Sequence, residues 1–501
     1  MASFAPFFRL LPCLCFFLAA CAATGHYPAQ SPDRRLCADL VRLPQDLTVY
    51  ARQAGPDKVL LPPAEQAAQA AKARSLFFAP WRQKSPGSAV GKALRDNFSL
   101  RPEKGFMENL RPFTPEAWAE LEENASAAGY PSRADHAITV RAAGLRGMPT
   151  NKPYFLNPDL SGEGYPFDYF QHTTLWTGTP VFLSHISHDG QWVLAETRTS
   201  MGWMPAADAA VVDEDFERLW QSRPLAAITR DKVLLLDKTS GAPPQSARGN
   251  IGALLPLASA GQKALSGNKS DARRVFYPRR GADGRAYAGV ALLAPEEAAL
   301  FPLPLTPKEM AKVGNVMLGQ PYGWGGLLEN RDCSALTRDL LLPFGLWLPR
   351  NSGAQAGQGR PADLKDLAPE DKAARIAAEA APFFSLLWLP GHIALYLGEY
   401  EGEPVIFHSL WGLRVRGKGP GGGRAVIGKA CVTGLRPGAE LPDISTPNSI
   451  LDRMERIVLL PAVEKKPALA KAGKKSAPKR PAGARSARTG LAQKSLGPRK
   501  K

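Results

Sequence analysis

Ser385 to Gly412 reads SLLWLPGHIALYLGEYEGEPVIFHSLWG. Two apolar runs flank a polar, glycine-bearing link from Gly398 to Pro404, so the stretch is predicted to be two antiparallel strands. In the first run His392, Ala394 and Tyr396 share one face, and Ile393, Leu395 and Leu397 the other. Pairing Leu397 with Val405 sets Ala394 opposite His408, with His392 its diagonal neighbour roughly 7–8 Å away. Two imidazoles then converge on one side of a sheet, in a chain with 7 histidines in all.

Upstream, DCSALTRDLLLPFG from Asp332 places Cys333 where an amphipathic run of leucines begins. Asp332 or Asn330 is suited to cap that helix. A thiol in a first helical turn faces unpaired N–H groups and the positive end of the helix dipole, which predicts a lowered pKa and a thiolate. A nucleophile also needs a base, and the base something to orient it. Cys333, His392 and His408 are therefore the candidate catalytic set. The glycines of the preceding Pro321-Tyr322-Gly323-Trp324-Gly325-Gly326 allow close backbone packing.

The 501 residues suggest three or four domains, and 46 Gly with 46 Pro favour short strands over long bundles. A net charge of +17 invites a nucleic-acid reading, but its distribution argues against one. Residues 465–501 hold 13 Lys or Arg and no Asp or Glu, so the rest of the chain carries only +4. That tail lacks the apolar residues to form a core. It is expected to be disordered and to meet anionic cell-envelope surfaces.

The N-terminus reads as an address. MASFAPFFRLLPCLCFFLAAC has one arginine and an apolar stretch short for a bilayer span, ending Leu18-Ala19-Ala20-Cys21. That tetrad resembles a bacterial lipobox, which implies acylation of Cys21, and Ala22 rather than Asp implies the outer membrane. Of the 6 cysteines, Cys37, Cys333 and Cys431 remain once the leader and Cys21 are set aside. At most one disulfide can form among three thiols, so at least one stays free.

The domain plan follows from texture. Residues 1–20 are a lipoprotein signal peptide and 21–45 a tether. Residues 46–133 form a helical module, with helices over Ala64 to Phe77 and from the Thr114 cap to a stop at Gly129. Short alternating runs then give two small all-β modules, 134–222 and 223–303; the first carries an Asp189-Gly190 hairpin signal. The histidines of HISH, His185 and His188, are expected to be structural rather than a metal pair. Thr306-Pro307-Lys308-Glu309 reads as a capping box opening the last folded domain, 304–462, ahead of the basic tail at 463–501.

PYGWGG, DCSAL, LPRNSGAQ (Leu348 to Gln355), GHIALYLG and FHSL together resemble the NlpC family of bacterial cell-wall cysteine peptidases. DGQWVLAE followed by GWM resembles bacterial SH3-like domains, closely in the first module and loosely in the second. The resemblance implies a multidomain fold class: an α+β papain-like catalytic domain behind two small all-β SH3-like barrels and a helical N-terminal module. It implies Cys333 as nucleophile, His392 as general base and His408 as orienting residue, with Tyr322, Asp332 and Ser334 lining the substrate cleft. The implied activity is cleavage of the γ-D-glutamyl–diaminopimelate bond of peptidoglycan stem peptides, with a preference for a free N-terminal L-Ala read by Asp332. No metal or organic cofactor is required, and a periplasmic, lipid-anchored monomer without a nucleic-acid partner is expected. The family commonly has Gly after DCS and Asp in the PRD segment, where this chain has Ala335 and Asn351. Two other readings remain open: a wall-binding lipoprotein with a vestigial peptidase domain, and an acyltransferase on the same fold, which needs a lipid-sized groove.

Overall fold

A computed structural model describes residues 37–160, 162–236, 247–258, 272–416, 422–445 and 448–461. In it the strands His392–Tyr400 and Glu403–Val415 pair antiparallel. Leu395 faces Phe407 and Tyr396 faces Ile406, the register that sets Ala394 opposite His408. Leu397 does not pair with Val405, however. A bulge between Tyr396 and Gly398 passes Val405 to Gly398, and the strands continue to a two-residue turn at Glu401-Gly402. Both turn residues have positive φ, 52° and 82°, the geometry that matches strand twist in a tight hairpin. The polar link is thus mostly strand.

These strands belong to a six-stranded antiparallel sheet ordered Arg360–Asp363, Arg456–Leu459, Ser385–Leu389, His392–Tyr400, Glu403–Val415, Gly423–Gly434. One face carries Ile393, Leu395 and Phe407 and packs on the helix Cys333–Leu341 through Leu336 and Leu340. The other face carries Ala394, Tyr396 and Ile406, covered by Ile376 of the helix Pro369–Glu379. The helix Pro307–Met317 opens the domain with Thr306 Oγ1 accepting from Glu309 N at 3.3 Å. The reciprocal half of the expected capping box is absent: Thr306 N donates to Pro304 O, and Glu309 is paired with Lys312.

The first all-β module is a seven-stranded antiparallel sheet between Asp135 and Val211. Its strand Trp192–Glu196 is buried on both faces. Val193 and Ala195 point into the module's own core, while Trp192 and Leu194 pack with Trp118 and Leu94 of the helical module. His185 is structural, with its ring nitrogens on Ser132 Oγ (2.7 Å) and Ser126 O (3.0 Å). The second module is three small sheets of three, two and two strands between Leu225 and Leu300, around a core that includes Val275 and Leu255. In the helical module, Pro63–Phe77 and Pro115–Ala125 form as expected, with Thr114 capping. The second ends at Ala125, four residues before Gly129, with Ser126 in the left-handed region as its C-cap.

Residues 37–45 are not a tether. The turn Asp39–Arg42 docks on the strand Gly423–Gly434, where Asp39 Oδ2 accepts from Gly434 N at 2.8 Å. Gln45 bonds Val432 through both amide atoms. A single apolar core runs from Leu47 and Phe77 of the helical module through Leu225 and Leu254 of the second β-module to Leu336 and Phe407. No helix among the described residues is long and apolar enough to cross a membrane. The leader with Cys21, within residues 1–36, and the basic tail 463–501 lie outside the described residues.

Candidate active site

Cys333 is the first residue of its helix and 7% exposed. Asp332, not Asn330, is the cap, accepting from Ala335 N at 2.9 Å. The segment before it closes against the first β-module. An added Cβ at Gly325 would lie 2.1 Å from Gln171 O, and one at Gly326 2.4 Å from Thr174 Oγ1, so only glycine permits this approach. Phe167 of the same module meets Trp324 (5.2 Å) and Trp411 (5.9 Å) edge to face, forming an aromatic wall with Tyr322.

A cleft of about 870 Å³ opens at the thiol. Tyr322, Asp332, Cys333, Ser334, Arg350 and Asn351 line its floor. The walls come from Gln171, His172 and Glu196 to Met201 of the first β-module, and from Pro80, Gln83 and Gly87 of the helical module. Of the proposed site residues, His392 and His408 do not line the cleft; Gly391 does. The backbone beside His392 does reach the thiol, since the N–H of Ile393 acts on the Cys333 sulfur to lower its pKa.

The two imidazoles meet across the expected diagonal. His392 Nε2 lies 2.8 Å from His408 Nδ1, in direct hydrogen bond. His408 Nε2 lies 3.1 Å from Thr433 Oγ1, and that hydroxyl donates to Gly434 O at 2.8 Å. His408 is fully buried, whereas His392 keeps an exposed edge.

The electrostatics reverse one expectation. Burial pushes the Cys333 thiol up to about 12, Asp332 adding in the same direction. The helix-start N–H of Ser334 and that of Ile393 oppose the rise but do not overcome it. Burial also lowers His392 to about 4, with Arg453 contributing and Asp332 opposing, and burial together with the neighbouring His392 holds His408 well below 6.5. The resting pair is therefore neutral thiol and neutral imidazole. Tyr322 is held protonated by burial and by the negative charge of Asp332, so its hydroxyl remains a donor.

Asp332 is less available than expected. Its two oxygens already accept from Ala335 N, Gly325 N, Ser334 Oγ and both terminal nitrogens of Arg350, at 2.6–3.1 Å. Five donors fill a carboxylate's four or so lone-pair sites. An ammonium arriving there has to displace one of them. Ser334 Oγ, expected in the cleft, likewise serves Asp332 and Arg350. Arg350 itself went unassigned in the sequence reading, although a charge within the apolar LWLPR run was a visible signal; it also reaches Thr173 of the first β-module at 2.8 Å. No group of three or more His, Cys, Asp or Glu among the described residues is placed to hold a metal ion.

A helix that starts at a buried thiol, packed on an antiparallel sheet that carries two linked histidines, is the papain-like α+β arrangement. Family comparisons give the same assignment. Residues 319–416 match the NlpC/P60 family, 153–205 an SH3 domain of the SH3b1 type, and 10–130 the N-terminal NLPC_P60 stabilising domain. The chain carries an NlpC/P60 family domain behind an SH3 domain and an NLPC_P60 stabilising domain. A probable endopeptidase of Corynebacterium glutamicum is 33% identical over 126 residues, 25% of this chain and 53% of that protein. The chain thus spans about half the length of the curated relatives it matches. A solved NlpC/P60 endopeptidase from Photobacterium damselae subsp. piscicida superposes with a TM-score of 0.72 at 25% identity, over 83% of this chain and 97% of that one.

Proposed function

We propose that this protein is a peptidoglycan endopeptidase that cuts the γ-D-glutamyl–diaminopimelate bond of stem peptides by a Cys-His-His mechanism. The observation that carries the reading is the free thiol of Cys333 on the floor of a three-module cleft, next to a sheet holding the His392–His408 pair. Substrate entry expels water and brings the thiol proton to His392 as the sulfur attacks the γ-carbonyl. The oxyanion meets backbone N–H groups at the helix start and the Tyr322 hydroxyl. His392 then returns the proton to the leaving amine, and water releases the thioester.

The preference for a stem with a free N-terminal L-Ala has a better physical carrier than Asp332. Glu196 on the cleft wall is 4% exposed; its Oε2 accepts from Gln83 and Gly87, while Oε1 has no hydrogen-bond partner. An ammonium would complete it. The charged lining (Glu196, Arg198, Arg350) disfavours an acyl chain and hence the acyltransferase alternative. Anchoring through Cys21 in the cell envelope, and wall contact through the basic tail, complete the proposal.

The test is mass spectrometry of products from L-Ala-γ-D-Glu-diaminopimelate and from its N-acetylated form. Release of L-Ala-γ-D-Glu from the free peptide is expected. Cleavage of neither peptide, or a cut at another bond, overturns the assignment.

A further inference from the structure

The hydrogen-bond chain behind His392 has an end that fixes its direction. Thr433 lies on the strand Gly423–Gly434, where Ile406 is its cross-strand partner and His408 its diagonal neighbour. Its hydroxyl has one proton and contacts two groups, His408 Nε2 at 3.1 Å and Gly434 O at 2.8 Å. A carbonyl oxygen only accepts, so the proton goes to Gly434 O and the hydroxyl accepts from His408 Nε2–H. With Nε2 protonated, a neutral His408 has a bare Nδ1, which accepts from His392 Nε2–H across 2.8 Å. His392 is then left with its lone pair on Nδ1. The reversed chain, with Thr433 donating to His408, strips Gly434 O of that bond and places a proton on His392 Nδ1, where no base is left.

From this we infer that Thr433 is a positioning residue, a fourth member of the site, which sets the tautomer of both histidines so that His392 Nδ1 is the base for Cys333. The inference rests on the proposed thiol mechanism for its effect on rate, but the protonation pattern it assigns can be read without any substrate. All members of the chain except His392 are fully buried, so water does not compete for these bonds. The polarity is supported from outside the site as well. Asp39 Oδ2 accepts the N–H of Gly434, holding in place the residue whose carbonyl ends the chain.

Two readouts separate positioning from mere packing. Long-range 1H–15N spectra of histidine-labelled, full-length protein report which ring nitrogen carries the proton. Wild type is expected to show both His392 and His408 protonated on Nε2. Thr433→Val, nearly the same shape without the hydroxyl, should move proton density to Nδ1 and lower kcat on the stem tripeptide about 10- to 100-fold with little change in KM. Thr433→Ser should restore both the spectrum and the rate. A wild-type His392 protonated on Nδ1 overturns the inference whether or not Thr433→Val folds. So does a Thr433→Val protein that keeps the wild-type spectrum and rate. If wild type shows the expected protonation yet cleaves no stem peptide, the assigned tautomers stand and it is the proposed substrate that fails.

Discussion

The two β-modules flank the same catalytic domain and serve it differently. The first lends its surface to the cleft: Gln171, His172 and the Glu196–Met201 turn stand opposite Cys333. Among its described residues, the second contributes none to that cleft. It acts from below instead. Its Asp231 makes a two-pronged pair with Arg331, 2.8 Å to each oxygen, and Ile251 O takes a third bond. Arg331 also bonds Asp339 on the nucleophile helix, lies 5.0 Å from the Trp176 ring, and accepts Ser409 Oγ at its carbonyl beside His408. One module shapes what enters; the other holds the thiol helix against the histidine strand.

That contrast can be broken by substitution, and Cys333→Ala sets the scale. It should abolish hydrolysis, a loss of more than about a thousandfold, while thermal unfolding and wall binding stay as in wild type. Activity within tenfold of wild type would remove the thiol from the mechanism. Asp231→Ala comes next, because it takes the two-pronged partner from a guanidinium that is 4% exposed and leaves Asp339 alone to pair it. A loss of about 3–5 kcal/mol in chemical denaturation is expected. A change under about 1 kcal/mol would make the second module a passenger.

Glu196→Gln probes the other side of the comparison. It should leave stability near wild type and lower kcat/KM for the free-amine tripeptide roughly 10- to 150-fold, the worth of a charge-assisted bond. The N-acetylated peptide should not respond. Equal losses on both substrates would assign Glu196 to scaffolding, like Asp231. The smallest effect is in pH. His392 is lowered from 6.5 to about 4 and His408 moves the same way, so the unfolded chain takes up protons first as pH falls. The stability these groups contribute is complete above pH 6.5 and declines towards pH 4. Asp332, held low by Arg350, adds to the decline only below its ordinary 3.8. Melting temperatures from pH 7.5 to 4 should fall less steeply for His408→Asn than for wild type.

Local signals made much of this readable. The alternation in GHIALYLG and VIFHSL gave the shared histidine face, and Asp332 ahead of Cys333 gave the helix cap. Leu397 escaped because a bulge leaves no mark in an apolar run. The thiol's pKa is not legible for a different reason: a helix start is visible in sequence, whereas the burial that outweighs it belongs to a tertiary core, and even the approach before Cys333 is closed by Gln171, Thr174 and Phe167, more than 150 residues from Gly325, Gly326 and Trp324. Asp231 and Arg331 are 100 residues apart and lie in different modules, so no periodicity links them. Thr433 looked like any strand threonine. Residues 37–45 read as a polar connection because their docking partners, Val432 and Gly434, come from the far end of the chain.

The Asp231–Arg331 pair has a consequence for how such a protein can change over evolutionary time or on the bench. Hydrolase domains are often treated as interchangeable cassettes, yet this one is not portable. Excised at residue 304, it would leave behind the counterion of a guanidinium two positions before its nucleophile, along with the part of the apolar core that Leu225 and Leu254 supply. Recombination that grafts 304–462 onto a foreign binding module would deliver an intact motif on a helix without its foundation. The heritable unit is the trio of helical module, paired β-modules and peptidase domain, which must be exchanged together or not at all.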